Sequence, residues 1–287
     1  MKKVYYIFLI YGICSQAFSQ KPDLNFPTVE SLYDQNLEEY HYLLADSINV
    51  RDCASINCKK LGILKIGERI VLQEKSETID TINNIKSHWY KIKSKGVNGW
   101  IFGGFIAQQA FGSQSDSSVK FVYGLKRFDV NEKFVKRTTQ LRAFENNKEL
   151  DQIELPISTN YINSIKTIGN SGLELKDIII IEIPCVGGCG CSTGNLIIFW
   201  NGKKFSKVYD LLGTADAWAS ESYRFIYPTD MEGINNTIIK VSEFYIGVSS
   251  DGKIERGISK EYFKWNGEEL VADKSKKVEK KTYLIEK

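Results

Sequence analysis

Histidine is scarce: the 287-residue chain holds only His41 and His88, so residues 119–287 have none. A cysteine peptidase needs a histidine beside its thiol, and zinc amidases recruit histidine as a metal ligand, so both chemistries are excluded from that long C-terminal stretch. An excess of charge is missing too. Lys plus Arg number 38 against 35 Asp plus Glu, and removal of Lys2 and Lys3 with a leader leaves 36 against 35. Such a balance creates no field for nucleic acid or an anionic membrane, and no nucleic-acid partner is expected. Beyond the N-terminus no apolar run nears the ~20 residues a spanning helix requires, so the mature chain is expected to carry no membrane span.

The start of the chain is different. Met1-Lys2-Lys3 precedes the apolar run Val4 to Cys14 and the small, polar Ser15-Gln16-Ala17-Phe18-Ser19-Gln20. This is the order of a secretory signal, residues 1–19, with cleavage near Ser19–Gln20. Ile13 precedes Cys14 where a lipoprotein signal wants a small residue, which favours plain secretion to the periplasm or the exterior over lipid attachment. An oxidising compartment follows, and it governs the cysteines left after cleavage: Cys53, Cys58, Cys185, Cys189 and Cys191. Five is odd, so at least one thiol lacks a partner within the chain.

The composition is otherwise that of a globular chain, 43% apolar and 25% charged, and the pattern is β throughout. Residues 20–41 contain Pro22 and Pro27 and read as a tether, with a short helix around Val29 to Glu39. Residues 42–107 alternate short apolar runs with Gly and Asn, as a small barrel does. Residues 108–118 are small and polar and read as a linker. Residues 119–287 form a larger antiparallel β-rich domain, a meander, sandwich or partial propeller, with strand runs at 120–123, 140–144, 177–183, 195–200, 223–227 and 237–241. Two look-alike stretches, Trp200-Asn201-Gly202 and Trp265-Asn266-Gly267, suggest two-residue primed hairpin turns, because Asn and Gly tolerate positive φ.

Within 42–107 stand Asn49-Val50-Arg51, Gly62-Ile63-Leu64-Lys65-Ile66-Gly67, Trp89-Tyr90-Lys91-Ile92 and Gly99-Trp100-Ile101. In that order these landmarks resemble the bacterial Src-homology-3 (SH3b) domain family. The resemblance implies a five- or six-stranded barrel that binds peptidoglycan peptides or another cell-surface ligand in an aromatic groove. It makes Tyr42, Trp89, Tyr90 and Trp100 the candidate ligand contacts. Aromatic rings offer large contact area with few rotamers to freeze. They also fill small cores, the competing reading for Trp89 and Trp100. Tyr90 lies on the opposite strand face from Trp89 and is expected at the surface. One departure from the family pattern is Glu77 to Ser87, an insertion read as a longer loop before Trp89.

Cys53 and Cys58 flank a short loop that a disulfide would staple, worth about 2 kcal/mol in the chain-entropy account. Further on, Pro184-Cys185-Val186-Gly187-Gly188-Cys189-Gly190-Cys191 is a glycine-rich turn. A disulfide from Cys185 to Cys189 or Cys191 with one leftover thiol is expected. Three soft ligands for a metal, or a redox or intermolecular thiol, remain the alternatives. No metal, cofactor or catalytic residue is assigned. Acids cluster at Asp210, Asp216, Glu221, Asp230 and Glu232, the positions a cell-wall glycosidase would draw on. The leading expectation is an exported, non-enzymatic protein that docks on cell-wall peptide or a surface protein; the second is an interaction or inhibitor module with its activity in residues 119–287.

Overall fold

The computed structural model describes residues 27–94, 96–130, 135–157, 162–185, 191–215, 219–247 and 254–285. The signal segment, Cys14, Cys189 and Asp216 lie outside the described residues. Among those described there is no α-helix, only two 3-10 turns, Val29–Ser31 and Gly103–Phe105, and nineteen strands in three antiparallel sheets. No helix is long and apolar enough to cross a membrane.

The first sheet contains β1 (Tyr40–Tyr42), β2 (Ile48–Arg51), β3 (Lys60–Leu64), β4 (Arg69–Ile82), β5 (Ile85–Lys93) and β6 (Asn98–Phe102), in the spatial order β1-β4-β5-β6-β2-β3. It curls into a half-barrel. The expected alternation holds in β2, where Ile48 and Val50 are buried beside half-buried Asn49 and Arg51. They join Leu64, Ile70, Leu72, Tyr90, Ile92 and Ile101 in one core. Cys53 and Cys58 are bonded across the β2–β3 loop, as expected. The insertion 77–87 is not a loop. It lengthens the β4–β5 hairpin, with Ile79 opposite His88 and Ile82 opposite Ile85. Asn83 and Asn84 turn it at φ 52° and 58°, both in the left-handed region that Asn tolerates.

Residues 28–39, read as part of a tether, are packed against this sheet. Val29 is fully buried, and Thr28 bridges Lys86. Glu30 Oε1 accepts hydrogen bonds from Ser87 Oγ at 2.6 Å and His88 N at 3.1 Å. The short helix expected there is a single 3-10 turn.

The middle sheet contains β7 (Gln109–Gly112), β8 (Val119–Val130), β9 (Val135–Glu145) and β10 (Lys148–Ile157) in the order β10-β9-β8-β7. The stretch 108–118 is therefore no free linker. It supplies β7 and then a turn in which Ser113 Oγ and the Gln114 amide donate to the buried Asp177 carboxylate at 2.5 and 2.8 Å. The polar side chains that suggested a solvated linker serve as hydrogen-bond partners instead. Both faces of this sheet are covered. Val122 and Phe144 meet Leu44, Ile66 and Ala107 of the first unit, and Leu125 and Phe128 meet Val29, Ile85, Trp89 and Phe102. Phe121, Tyr123, Leu141 and Leu155 face the third sheet.

That third sheet contains β11 (Ser164–Thr167), β12 (Asp177–Ile183), β13 (Cys191–Trp200), β14 (Phe205–Ala215), β15 (Ala219–Ile226), β16 (Ile238–Gly247), β17 (Ile254–Trp265), β18 (Leu270–Ala272) and β19 (Glu279–Ile285). β11 to β18 follow one another in space as in sequence, with β19 beside β17. It is a meander, one of the arrangements the sequence suggested. β12 reads as an almost unbroken isoleucine run because both its faces are covered: Ile179 and Ile181 meet the middle sheet, while Ile178 joins Phe199 and Phe225 on the other side. β14 and β15 pair only at Thr214–Glu221 and Ala215–Ser220, so the sheet folds over and the Phe199 and Trp265 rings meet at 4.9 Å. The two Asn-Gly sites are four-residue loops, not two-residue turns. The Asn201 side chain accepts from the amides of Lys203 and Lys204, that of Asn266 from Glu268 and Glu269, and only the glycines have positive φ.

Candidate functional site

Two of the four aromatic candidates are interior. Trp89 is 2% exposed; its Nε1 donates to Asp80 at 2.7 Å, and its ring meets Phe102 edge-on at 5.9 Å. Tyr90 is 1% exposed, inside the half-barrel, and donates through its hydroxyl to Glu30 Oε1 at 3.3 Å. Burial and the neighbouring Glu30 carboxylate push its phenol well above the usual tyrosine range. The expected surface position of Tyr90 is corrected on this point. The two rings do lie on opposite strand faces, but the middle sheet covers one face and the barrel core occupies the other. Trp100 is half-buried at the edge of the Trp89 cluster.

Tyr42, by contrast, lines a groove. It stands directly opposite Arg69 in the β1–β4 register, with Tyr40 two residues back on the same face. The Arg69 guanidinium lies 4.1 Å from the Tyr40 ring centre and 5.9 Å from that of Tyr42, and Lys120 Nζ also lies 5.9 Å from the Tyr42 ring centre. A cation within about 6 Å of a ring face is attracted by the ring quadrupole. The groove has a volume of about 1040 Å³ and is further lined by Lys65, Lys93, Glu38 and Glu68. Among the described residues, Lys65, Arg69, Lys93 and Lys120 make no ion pair.

The groove sits on a seam. Lys120 and Asn147 come from the middle sheet, and the rest of its lining from the first. The Asn147 side chain donates to the Ile66 carbonyl at 3.1 Å. Gly67, at φ 71°, lets the Phe144 ring come within 2.0 Å of where a Cβ would stand. That approach and that φ both demand glycine.

No protein family, curated protein or solved structure matches the chain. The site therefore rests on its own geometry. Tyr40-His41-Tyr42 carried a sequence signal for it, two rings at period two on one strand face. Lys120 carried none, because nothing local ties it to Tyr42.

The remaining candidates are engaged elsewhere. Asp52 lies beside the Cys53 and Cys58 sulfurs, but these are bonded to each other and offer no thiolate to a metal. Cys185 is bonded to Cys191, one of the two pairings expected, with Cα atoms 5.4 Å apart. The clustered acids do not share one loop: Asp210 lies on β14 and Glu221 on β15, and the described acids serve local roles. Asp210 pairs with Lys207 and Glu232 with Lys260, each at 2.8 Å, while Asp230 accepts from the Tyr227 amide at 2.7 Å. Glu221 is exposed beside Thr214. Each histidine has a backbone partner: His41 Nε2 at Asn36 O, 2.8 Å, and His88 Nδ1 at Ser76 O, 2.7 Å.

Proposed function

We propose that this is an exported, non-catalytic binding protein whose SH3-like N-terminal unit docks on cell-wall peptide or a cell-surface ligand through the Tyr40–Tyr42–Arg69 groove. The observation that carries the reading is the pair of tyrosines held beside an unsalted arginine in an open groove. Rigid aromatics beside a desolvatable cation are the combination that concentrates binding energy. The leader-like N-terminus and two disulfides support an oxidising compartment. The test is retention of the mature full-length protein on insoluble peptidoglycan. Tyr42→Ala should weaken retention about 5- to 30-fold, the factor for loss of one modest anchor. Absence of retention by the unaltered protein overturns wall docking and turns the search to a protein partner.

A further inference from the structure

We propose that the groove takes an extended peptide bearing carboxylates, and that this peptide lies across the seam, held by Arg69 and Lys93 of the first sheet and by Lys120 of the middle sheet. The inference rests on the binding reading above and adds to it the ligand's charge and the second unit's part in holding it. Four cations, Lys65, Arg69, Lys93 and Lys120, line the groove against two carboxylates, Glu38 and Glu68. The chain's net charge is only +3, so this concentration is local. Cations without a counter-charge attract an anionic partner and raise its association rate.

The two acids decide what kind of anion fits. A polyphosphate meets repulsion at Glu38 and Glu68, whereas a peptide brings backbone N–H groups for those carboxylates to accept and side-chain carboxylates for the cations. Glu68 is already oriented, its Oε1 accepting from the Lys65 amide at 2.8 Å. A volume of about 1040 Å³ sits at the top of the range for compact small-molecule sites of roughly 300–1,000 Å³, which suits several residues of chain. The walls are locked together by the Asn147–Ile66 hydrogen bond and the Gly67–Phe144 contact, so the ligand meets a formed site with no hinge to close.

The test uses the mature full-length protein and a fluorescein-labelled octaglutamate, with octaglutamine as the uncharged counterpart, read by anisotropy. Octaglutamate should bind on the order of tenfold or more tighter than octaglutamine, and the difference should shrink at high salt. Lys120→Glu should weaken octaglutamate binding as much as Lys93→Glu, each on the order of tenfold, while Lys274→Glu, outside the groove, leaves it unchanged. Circular dichroism confirms that the variants keep their fold. Equal binding of the two peptides, silence of Lys120→Glu, or tighter binding of a polyphosphate of equal charge overturns the proposal. Peptidoglycan retention that falls with Tyr42→Ala but ignores Lys120→Glu leaves wall docking standing and sinks the seam; octaglutamate binding without peptidoglycan retention does the reverse.

Discussion

Strand β5 and the far end of β16, β17 and β19 are equally regular sheet, yet they live in different surroundings. On β5, Trp89 and Tyr90 point to opposite faces and both are buried. At the far end of the large sheet, Tyr245 stands opposite Arg256 and Arg256 opposite Tyr283 on one face, Ile246 and Leu284 flank Glu255 on the other, and all four apolar side chains are at least 38% exposed. Alternation sends neighbouring side chains to opposite faces, but only what packs on each face decides which are dry. The sheet between barrel and meander is therefore a joint. It makes the two parts one packed body, and an isolated residue 42–107 fragment would expose Ile85, Trp89 and Phe102 on one side and Leu44, Ile66 and Ala107 on another to water.

The contrast predicts a steep gradient of mutational cost. Trp89→Ala should destabilise by about 3–5 kcal/mol, read from denaturant midpoints, because it opens a cavity at the joint and leaves Asp80 without its donor. A cost below about 1 kcal/mol would mean that barrel and middle sheet are not coupled there. Replacing Cys53 and Cys58 together by serine should cost about 2 kcal/mol, since the bond constrains only a short loop of the unfolded chain. Tyr245→Ser, on the bare sheet end, should shift stability by no more than about 0.5 kcal/mol, and a larger loss would mean that this face is covered in solution.

Alkali should act through the buried tyrosines. Burial raises the phenols of Tyr33, Tyr90 and Tyr123 well above the ordinary value near 10, with the Glu30 carboxylate adding to the effect on Tyr33 and Tyr90. A proton held more tightly in the folded state contributes stability that is complete below the unfolded value of about 10 and is lost as pH climbs toward the folded one. Tyrosinate absorbance from these rings should thus rise together with loss of the circular dichroism signal above pH about 10. Full tyrosinate absorbance with the fold intact would show the three rings to be open to solvent.

Much of the architecture was legible. β-branched runs marked the strands of the meander, Ile48 and Val50 announced the inner face of β2, and the close spacing of Cys53 and Cys58 pointed to their bond. What misled was polarity without its partner. Ser113, Gln114 and Ser115 read as linker because Asp177 and Lys176, which bind them, are distant in sequence. The Asn83-Asn84 turn inside the insertion was missed for a different reason: asparagine adopts positive φ less often than glycine, so the pair is a weaker turn signal.

The sequence by itself determined the all-β class and the side each residue takes along its strand, and it pointed to the first disulfide, since all three follow from periodicity and near-neighbour spacing. Only the tertiary structure decided that Tyr90 is buried, that Cys185 pairs with Cys191, and that Lys120 closes a groove beginning at Tyr40. Those outcomes depend on which faces meet across long stretches of chain, and the free energy that selects among such meetings comes from burying whole surfaces, which no local pattern records.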